Sequence, residues 1–360
     1  MSPGTRPVPL PESILVVRLG AMGDVIHTLA AATALRARLP GLRIGWVVEA
    51  RWRELLCARN SPPSGPRGPG RPVVDFVHIA DTKRWRKSLL LSRTRREIQA
   101  AWREIRSQNY ELAADFQGAL KSAFLARSAG AKAVSGFENP RETPARLLYT
   151  ERFQSQGVHV VDHYHSLAEA LVARPLPGLK PLFPCDPEAD TLAAGQFAGK
   201  GDALVLISPG AGWGAKQWPA DRYGTVARAL AARGMRPIIH FGPGERELAQ
   251  RVQRASGGRA HPFACSISEL IALTRRAKLF IGGDTGPLHL AAALKIPVVA
   301  IFGPTDPARN GPYGTASIVL RNSASKTSLS HTSAPDPGLL TISAEEVISA
   351  AGKLLEDSGA

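Results

Sequence analysis

The stretch ILVVRLGAMGDVIHTLAAATALRARL, residues 14–39, decides the fold class. It opens with a short apolar run typical of a buried strand, and from Asp24 onward its apolar residues recur at helical spacing. The turn between them holds two glycines, which let the backbone approach a ligand closely. A helix start favours anions, yet this one carries an acid. Because Asp24 would repel a phosphate, it predicts a role other than phosphate binding.

The alternation of strand and helix continues along the chain. Further strands are predicted at residues 43–49, 73–79, 111–116, 203–209, 236–242, 278–283 and 297–303. A proline-rich stretch at residues 173–187 interrupts the pattern and predicts an interdomain linker. Alternation of this kind indicates an α/β fold with a parallel sheet in each half. We therefore expect two domains, residues 1–178 and 188–335, with a cleft between them and ligands at the carboxyl ends of the strands.

Three other segments are predicted from composition. Residues 60–72 hold five prolines and three glycines, which predicts a flexible surface loop. Residues 321–338 are small and polar, and we expect them to be mobile. Ser343 and Glu346 form a capping-box signature that opens a final helix, residues 341–357, with an apolar stripe.

Bulk composition limits the function. The 360 residues carry a formal net charge of +15, which attracts nucleic acid, an anionic membrane or a phosphorylated substrate. The aromatic content of 6% is scattered, which disfavours nucleic-acid stacking. The chain lacks the G-x-G-x-x-G spacing of dinucleotide-binding proteins, which disfavours a dinucleotide oxidoreductase. The first residues lack the apolar core of a signal peptide, so we expect a cytoplasmic protein.

Charge and cysteine positions give less specific signals. The densest basic segment is Asp81–Arg106, which is either a solvated helix face or a contact for an anionic partner. The cysteines, Cys57, Cys185 and Cys265, match no disulfide or metal spacing and are expected to be ordinary core or loop residues. The segment HVVDHYH, with His159, Asp162, His163 and His165, has the best metal-like spacing, but a solvated or acceptor-facing helix is the favoured interpretation.

Two glycine-rich segments of the second half suggest an anion site. In SPGAGWGAKQWP, residues 208–219, small residues let N–H groups converge and Lys216 adds a positive charge; the alternative is a turn with a solvated lysine. In IGGDTGPLH, Asp284 or Thr285 caps a helix whose first N–H groups, of Thr285 and Gly286, would seat a diphosphate. His289 lies about one turn further on. The alternative is a cap followed by a core histidine.

Taken in order, these segments resemble a known family. G-x-x-G-D-x-x-H-T from Gly20, K-x-W-P from Lys216, D-T-G-x-x-H from Asp284 and V-x-x-x-F-G-P-T-D-P from Val298 are similar to glycosyltransferase family 9, the bacterial lipopolysaccharide heptosyltransferases. The resemblance spans about residues 14–315. The segments RWRK from Arg84 and DFQGALKSA, residues 115–123, most resemble the enzyme that adds the first heptose to Kdo–lipid A.

The resemblance implies a GT-B fold of two Rossmann-like domains, with the final helix crossing back to the first domain. It also implies the donor, ADP-L-glycero-D-manno-heptose, and a single displacement that inverts the anomeric centre. A later core acceptor or another sugar nucleotide is the alternative. Asp24 matches the family's general base, although it could simply cap its helix. The chain contains no D-x-D pair, so we expect no metal, with Lys216 and the helix start stabilising the diphosphate.

The remaining site residues follow from the resemblance, except Glu245, which is selected because it follows a predicted strand in HFGPGERE. The donor would be bound by Ser208, Gly210, Lys216, Glu245, Asp284, Thr285, Gly286 and His289. The anionic acceptor would be bound by Gly23, Arg84, Arg86, Lys87, Gln117 and Lys121. Glu245 would accept hydrogen bonds from a ribose diol, or else it is only an acid at a helix start. We expect peripheral contact with the inner membrane and no nucleic-acid partner.

Overall fold

The structure is a computed structural model and describes residues 10–197, 203–328 and 334–357. The chain divides into two compact units between Pro184 and Cys185. Each unit contains one six-stranded sheet in which every paired strand is parallel. The α/β class with two parallel sheets, predicted from the alternation, is therefore confirmed.

The strands of the first unit are β1 (Ser13–Val17), β2 (Arg43–Val48), β3 (Phe76–Ile79), β4 (Leu112–Asp115), β5 (Ala133–Phe137) and β6 (Glu151–Phe153). Its helices are α1 (Met22–Arg38), α2 (Thr82–Lys87), α3 (Ser92–Ser107), α4 (Leu120–Ser128) and α5 (Val160–Val172). The sheet order is β3-β2-β1-β4-β5-β6, the doubly wound order that places a ligand site at the carboxyl ends of the central strands. There Val17 lies opposite Asp115, which brings the turns after β1 and β4 side by side.

The strands of the second unit are β7 (Leu204–Ser208), β8 (Arg236–Phe241), β9 (His261–Ala264), β10 (Leu279–Gly283), β11 (Val298–Phe302) and β12 (Ser317–Arg321). Its helices are α6 (Pro187–Phe197), α7 (Ala220–Ala232), α8 (Arg246–Ala255), α9 (Ile267–Thr274), α10 (Gly286–Ala293), α11 (Pro307–Asn310), α12 (Pro337–Thr341) and α13 (Ala344–Asp357). The order β12-β11-β10-β7-β8-β9 repeats the doubly wound pattern. Ser208 lies opposite Gly282 at its carboxyl edge.

Helix α1 is more deeply buried than an amphipathic stripe predicts. Fourteen of its 17 residues are buried, because α1 packs against α5 and against the 3-10 turn Ala50–Leu55. The small residues along its sequence, such as Ala31 and Ala32, permit this close approach on more than one face. The basic segment predicted as one helical region is divided into α2 and α3, because a turn at Ser88–Leu91 separates them.

The proline-rich loop at residues 60–72 lies mostly on the surface, as its composition predicted, and two arginine side chains bind its backbone. Arg71 is 3% exposed, and its guanidinium donates hydrogen bonds to the carbonyl oxygens of Pro62 at 2.8 Å and Pro66 at 3.1 Å. Arg53 donates to the carbonyl of Ser61 at 2.7 Å. These bonds satisfy carbonyl groups that a loop without regular structure leaves unpaired, so the arginines organise the loop.

Helix α13 begins at the predicted capping box: Ser343 N donates to Glu346 Oε2 at 2.7 Å, and Glu346 N donates to Ser343 Oγ at 3.2 Å. Its apolar face, including Val347 and Leu354, packs in the core of the second unit with α7 and with β10, β11 and β12. The helix thus packs in the core of the second unit. Residues 329–333 of the tract expected to be mobile lie outside the described residues.

Candidate active site

Asp24 lies in the first turn of α1, directly after the glycine turn that follows β1. Its Oδ2 accepts a hydrogen bond from the backbone N–H of Ala21 at 3.2 Å, so the carboxylate does cap the helix. Yet 36% of this side chain is exposed, and Oδ1 takes no part in that bond. Gly20 before it approaches the Trp52 indole so closely that a Cβ would lie 2.7 Å from Nε1. The turn is therefore tight, and it leaves Asp24 accessible.

A buried arginine that the sequence analysis did not single out holds Asp24. Arg18 Nη2 lies 2.5 Å from Asp24 Oδ2, and Nη1 donates to the carbonyl of Phe116 at 2.7 Å. The guanidinium also stacks over the Tyr164 ring at 5.2 Å. Burial is the largest single effect and lowers the pKa of Arg18. The charge and hydrogen bond of Asp24, together with Tyr164 and Asp115, outweigh it, so the pKa is raised. The sequence signal was an arginine that ends an apolar strand, because a buried guanidinium needs a partner.

The turn after β4 is built around buried Asp115. Its carboxylate accepts four hydrogen bonds, from the N–H groups of Gln117 and Gly118, Ser122 Oγ and Tyr149 OH. Gln117 Oε1 in turn accepts the N–H of Leu19 at 3.1 Å. The turn that carries Gln117 is thus tied directly to the turn that carries Asp24.

The predicted acceptor residues lie on α1, α2 and α4 and in the turn after β4. Gly23 is buried in the first turn of α1, while Arg84, Arg86 and Lys87 are exposed on α2. Lys121 is exposed near the start of α4. Partial burial lowers its pKa, and the charges of neighbouring Lys83 and Arg86 lower it further.

The second unit gathers three predicted donor residues into one cluster. Lys216 Nζ lies 2.5 Å from Asp284 Oδ2, and His289 Nε2 lies 3.2 Å from Asp284 Oδ1. The Trp213 ring lies 5.1 Å from Lys216 Nζ, a cation–π contact that further fixes the ammonium. The alternative of a solvated lysine is excluded, since only 16% of the Lys216 side chain is exposed.

This cluster lies at the N-terminus of α10. Burial alone would raise the pKa of Asp284, but the hydrogen bond from His289 and the charges of His289 and Lys216 hold it well below its usual range. Thr285 is the N-cap residue, and Gly286 is half-buried at the first helical position. In the part of the chain that the structure describes, no hydrogen bond involves the N–H of either residue. This helix end can therefore donate to an anion.

Gly210 and Glu245 are also brought together. A Cβ on Gly210 would lie 2.3 Å from Glu245 Oε1, so only glycine leaves this carboxylate in place. Glu245 is the N-cap residue of α8, and its Oε2 accepts the N–H of Gly242 at 2.8 Å. The carboxylate lies at the carboxyl edge of the second sheet, where it can accept further hydrogen bonds.

Ser208 is buried, as are Gly210 and His289 among the predicted donor residues. Its Oγ lies 3.4 Å from Nδ1 of His240, on the neighbouring strand β8. Burial lowers the pKa of His240 to about 4. The sequence did not single out His240, because nothing in the predicted strand 236–242 distinguishes it from its buried neighbours.

The segment with metal-like spacing has other contacts. His159 Nδ1 accepts the N–H of Val161 at the start of α5, and His163 and His165 each contact a different backbone carbonyl, of Gly157 and Leu176. Among the residues with described positions, no group of three or more potential metal ligands occurs. The three cysteines are free thiols at separate positions.

Comparison with known proteins identifies the family of this chain. The model of glycosyltransferase family 9 (heptosyltransferase) matches residues 98–336. The chain belongs to this family. It is a glycosyltransferase, and its two doubly wound sheets are those of the GT-B fold.

Individual relatives and solved structures are similar to this chain over most of its length. Lipopolysaccharide heptosyltransferase 1 of Pseudomonas aeruginosa is 30% identical over 313 residues, which cover 85% of this chain and 83% of the relative. The Escherichia coli heptosyltransferase WaaC, solved with ADP-2-deoxy-2-fluoro heptose, has a TM-score of 0.74 at 24% identity and covers 96% of this chain and 99% of its own. A family 9 structure from Veillonella parvula has a TM-score of 0.80 at 24% identity, covering 98% and 100%. In the described ranges, no helix has the length and apolar character needed to span a bilayer.

Proposed function

We propose that this protein transfers L-glycero-D-manno-heptose from the ADP-linked sugar to a Kdo–lipid A acceptor of the lipopolysaccharide inner core. The observation that carries the proposal is the cluster of Lys216, Asp284 and His289 at the N-terminus of α10. It combines a fixed ammonium with two N–H groups suited to a diphosphate. The similarity to lipopolysaccharide heptosyltransferase 1 over most of both chains supports the sugar and the acceptor.

We assign binding of the sugar-nucleotide donor to the second unit. Lys216 and the N–H groups of Thr285 and Gly286 stabilise the charge that develops on departing ADP. The Asp284 carboxylate holds Lys216 in place and accepts hydrogen bonds from heptose hydroxyls, with His289 beside it. Glu245 accepts hydrogen bonds from the ribose diol, and Gly210 leaves room for that carboxylate.

We assign binding of the acceptor, and deprotonation of its hydroxyl group, to the first unit. In a single displacement the acceptor oxygen attacks the anomeric carbon, the bond from that carbon to the ADP oxygen breaks, and the configuration inverts. Asp24 takes the proton of the acceptor hydroxyl, because its carboxylate is accessible and oriented by Arg18. The acceptor's carboxylates and phosphates are bound by Arg84, Arg86, Lys87 and Lys121. Gln117, just after β4, and Gly23, in the first turn of α1, also contribute to the acceptor site.

The positive charge at the leaving group supports a mechanism without a metal ion. Lys216 and the start of α10 supply the charge that a D-x-D enzyme obtains from a divalent cation, and the chain has no D-x-D pair. The anionic lipid acceptor and the net charge of +15 support peripheral association with the cytoplasmic face of the inner membrane.

The test is a panel of sugar nucleotides and core acceptors, with transferred heptose detected by mass spectrometry and the new linkage assigned by NMR. We expect transfer from ADP-heptose to Kdo–lipid A, inversion at the anomeric carbon, and undiminished turnover in EDTA. Transfer only to an acceptor that already carries heptose would assign the chain to a later step. Absence of transfer from every donor, or loss of turnover in EDTA that added metal restores, would contradict the proposal.

A further inference from the structure

The turn between α2 and α3 presents three consecutive leucines to solvent. The exposed fractions are 50% for Leu89, 88% for Leu90 and 59% for Leu91. Single exposed leucines are ordinary on protein surfaces, but three in one tight turn form an apolar tip.

Hydrogen bonds fix this turn. Leu91 N donates to the carbonyl of Ser88 at 3.0 Å, and Arg95 Nε donates to the carbonyl of Leu89 at 3.2 Å. Ser88 Oγ lies 3.0 Å from Oγ1 of buried Thr94. The backbone of the tip is therefore held from both helices, and the leucines are exposed in a defined turn.

A dense positive charge surrounds the tip. Of residues 82–96, seven are lysine or arginine and none is acidic. Arg84 and Arg93 form ion pairs with Glu97, at 2.7 and 3.2 Å. Of the remaining five, Lys83, Arg86, Lys87, Arg95 and Arg96, none has an ion pair with a described residue. Their charge therefore stays available to an anionic partner.

We propose that Leu89–Leu91 insert into the surface of an anionic lipid bilayer while the flanking cations contact its head groups. A bilayer surface interacts favourably with both the leucines and the cations, because it accepts apolar side chains at the acyl boundary and attracts lysine and arginine. A nucleic acid would interact favourably only with the cations. Trp85, the aromatic residue of this segment, is 9% exposed and packs in the core, so it is not available for base stacking. The inference deepens the proposed function and rests on it for the lipid-anchored acceptor.

The direct test is sedimentation of the full chain with vesicles of phosphatidylglycerol and phosphatidylethanolamine, compared with neutral phosphatidylcholine vesicles. We expect the double variant Leu90→Ser/Leu91→Ser to lower the partition coefficient on anionic vesicles about tenfold. Leu192→Ser, an exposed leucine of α6 in the second unit, is the control and should bind as the wild type. Equal binding of the double variant and the wild type, or binding of the wild type to DNA duplex without binding to vesicles, would overturn the inference.

A second measurement separates this inference from the proposed function. The double variant should transfer heptose to a deacylated, water-soluble acceptor at the wild-type rate and be about tenfold slower on acceptor embedded in vesicles. Equal loss on both acceptors would contradict a membrane role for the tip. If the wild type transferred heptose to neither acceptor, the proposed function would fail, while the vesicle sedimentation would still decide whether the tip binds lipid.

Discussion

Arg18 Nη2 lies 2.5 Å from Asp24 Oδ2, and the same guanidinium holds the Phe116 carbonyl at the end of the adjacent strand. The orientation of the proposed base is therefore determined by a residue that need not touch the substrate. Arg18 is a positioning residue in this account, and Asp24 Oδ1 is the oxygen assigned to the acceptor hydroxyl.

Replacing Arg18 should reduce turnover more than substrate binding. We expect Arg18→Gln to lower kcat about 30-fold, because the carboxylate loses the bond that orients it, while KM for the sugar nucleotide stays within about twofold. Arg18→Lys should recover part of kcat. Steady-state kinetics, with thermal unfolding as the folding control, measure this. A rise in KM for the donor with unchanged kcat would contradict a positioning role.

Replacing Lys216 should reduce leaving-group stabilisation. Lys216→Met should lower kcat about 100-fold or more, since a preorganised positive charge is lost from the departing diphosphate. Lys278→Ala, at an exposed lysine of the same unit, is the matched control and should leave kcat unchanged. Single-turnover rates at saturating donor provide the measurement, and similar rates for both variants would remove Lys216 from the mechanism.

A pair of glycine substitutions tests the donor assignment of Glu245. Gly210→Ala places a methyl group where the Glu245 carboxylate lies, whereas a Cβ on Gly212 would meet nothing within 4 Å. Gly210→Ala and Glu245→Ala should each weaken ADP binding about tenfold, which isothermal titration calorimetry can detect. Gly212→Ala should bind ADP as the wild type. Unchanged ADP affinity in Gly210→Ala would argue that Glu245 only begins α8.

Buried His240 predicts a pH dependence of stability. Its folded pKa of about 4 lies below the unfolded value of roughly 6.5, so only the unfolded chain binds a proton between these values. The free energy of unfolding should therefore fall as pH drops from about 6.5 to 4, with up to about 3 kcal/mol from this residue. His240→Gln should flatten the slope, measured by urea unfolding at several pH values. His261→Gln, at an exposed histidine, should retain it, and an unchanged slope in His240→Gln would contradict burial of a neutral ring.

Much of the fold could be predicted because it depends on local signals. Periodicity and glycine turns located β1, α1, β7, β10 and α10, and the Ser343 capping box located the start of α13. The arginine contacts in the loop at residues 60–72 were not predicted, because the partners of Arg53 and Arg71 depend on how the loop folds back. Composition carries no information about such contacts.

The site was predicted less completely than the fold. Motif spacing selected Asp24, Lys216 and Asp284, each of which lies in the segment that follows a strand. It did not identify Arg18 or His240, because an arginine or histidine in a strand reveals its role only through a partner on a neighbouring strand or turn. Strand pairing supplies those partners.

The rate of heptose transfer by Asp24→Asn tests the central claim most directly. The asparagine oxygen can still accept the N–H of Ala21 and the guanidinium of Arg18, so the helix start is preserved while the base is lost. Release of ADP from ADP-heptose, with Kdo–lipid A as acceptor, should be about 1,000-fold slower than in the wild type, with ADP affinity unchanged. Turnover at the wild-type rate in Asp24→Asn would contradict the account.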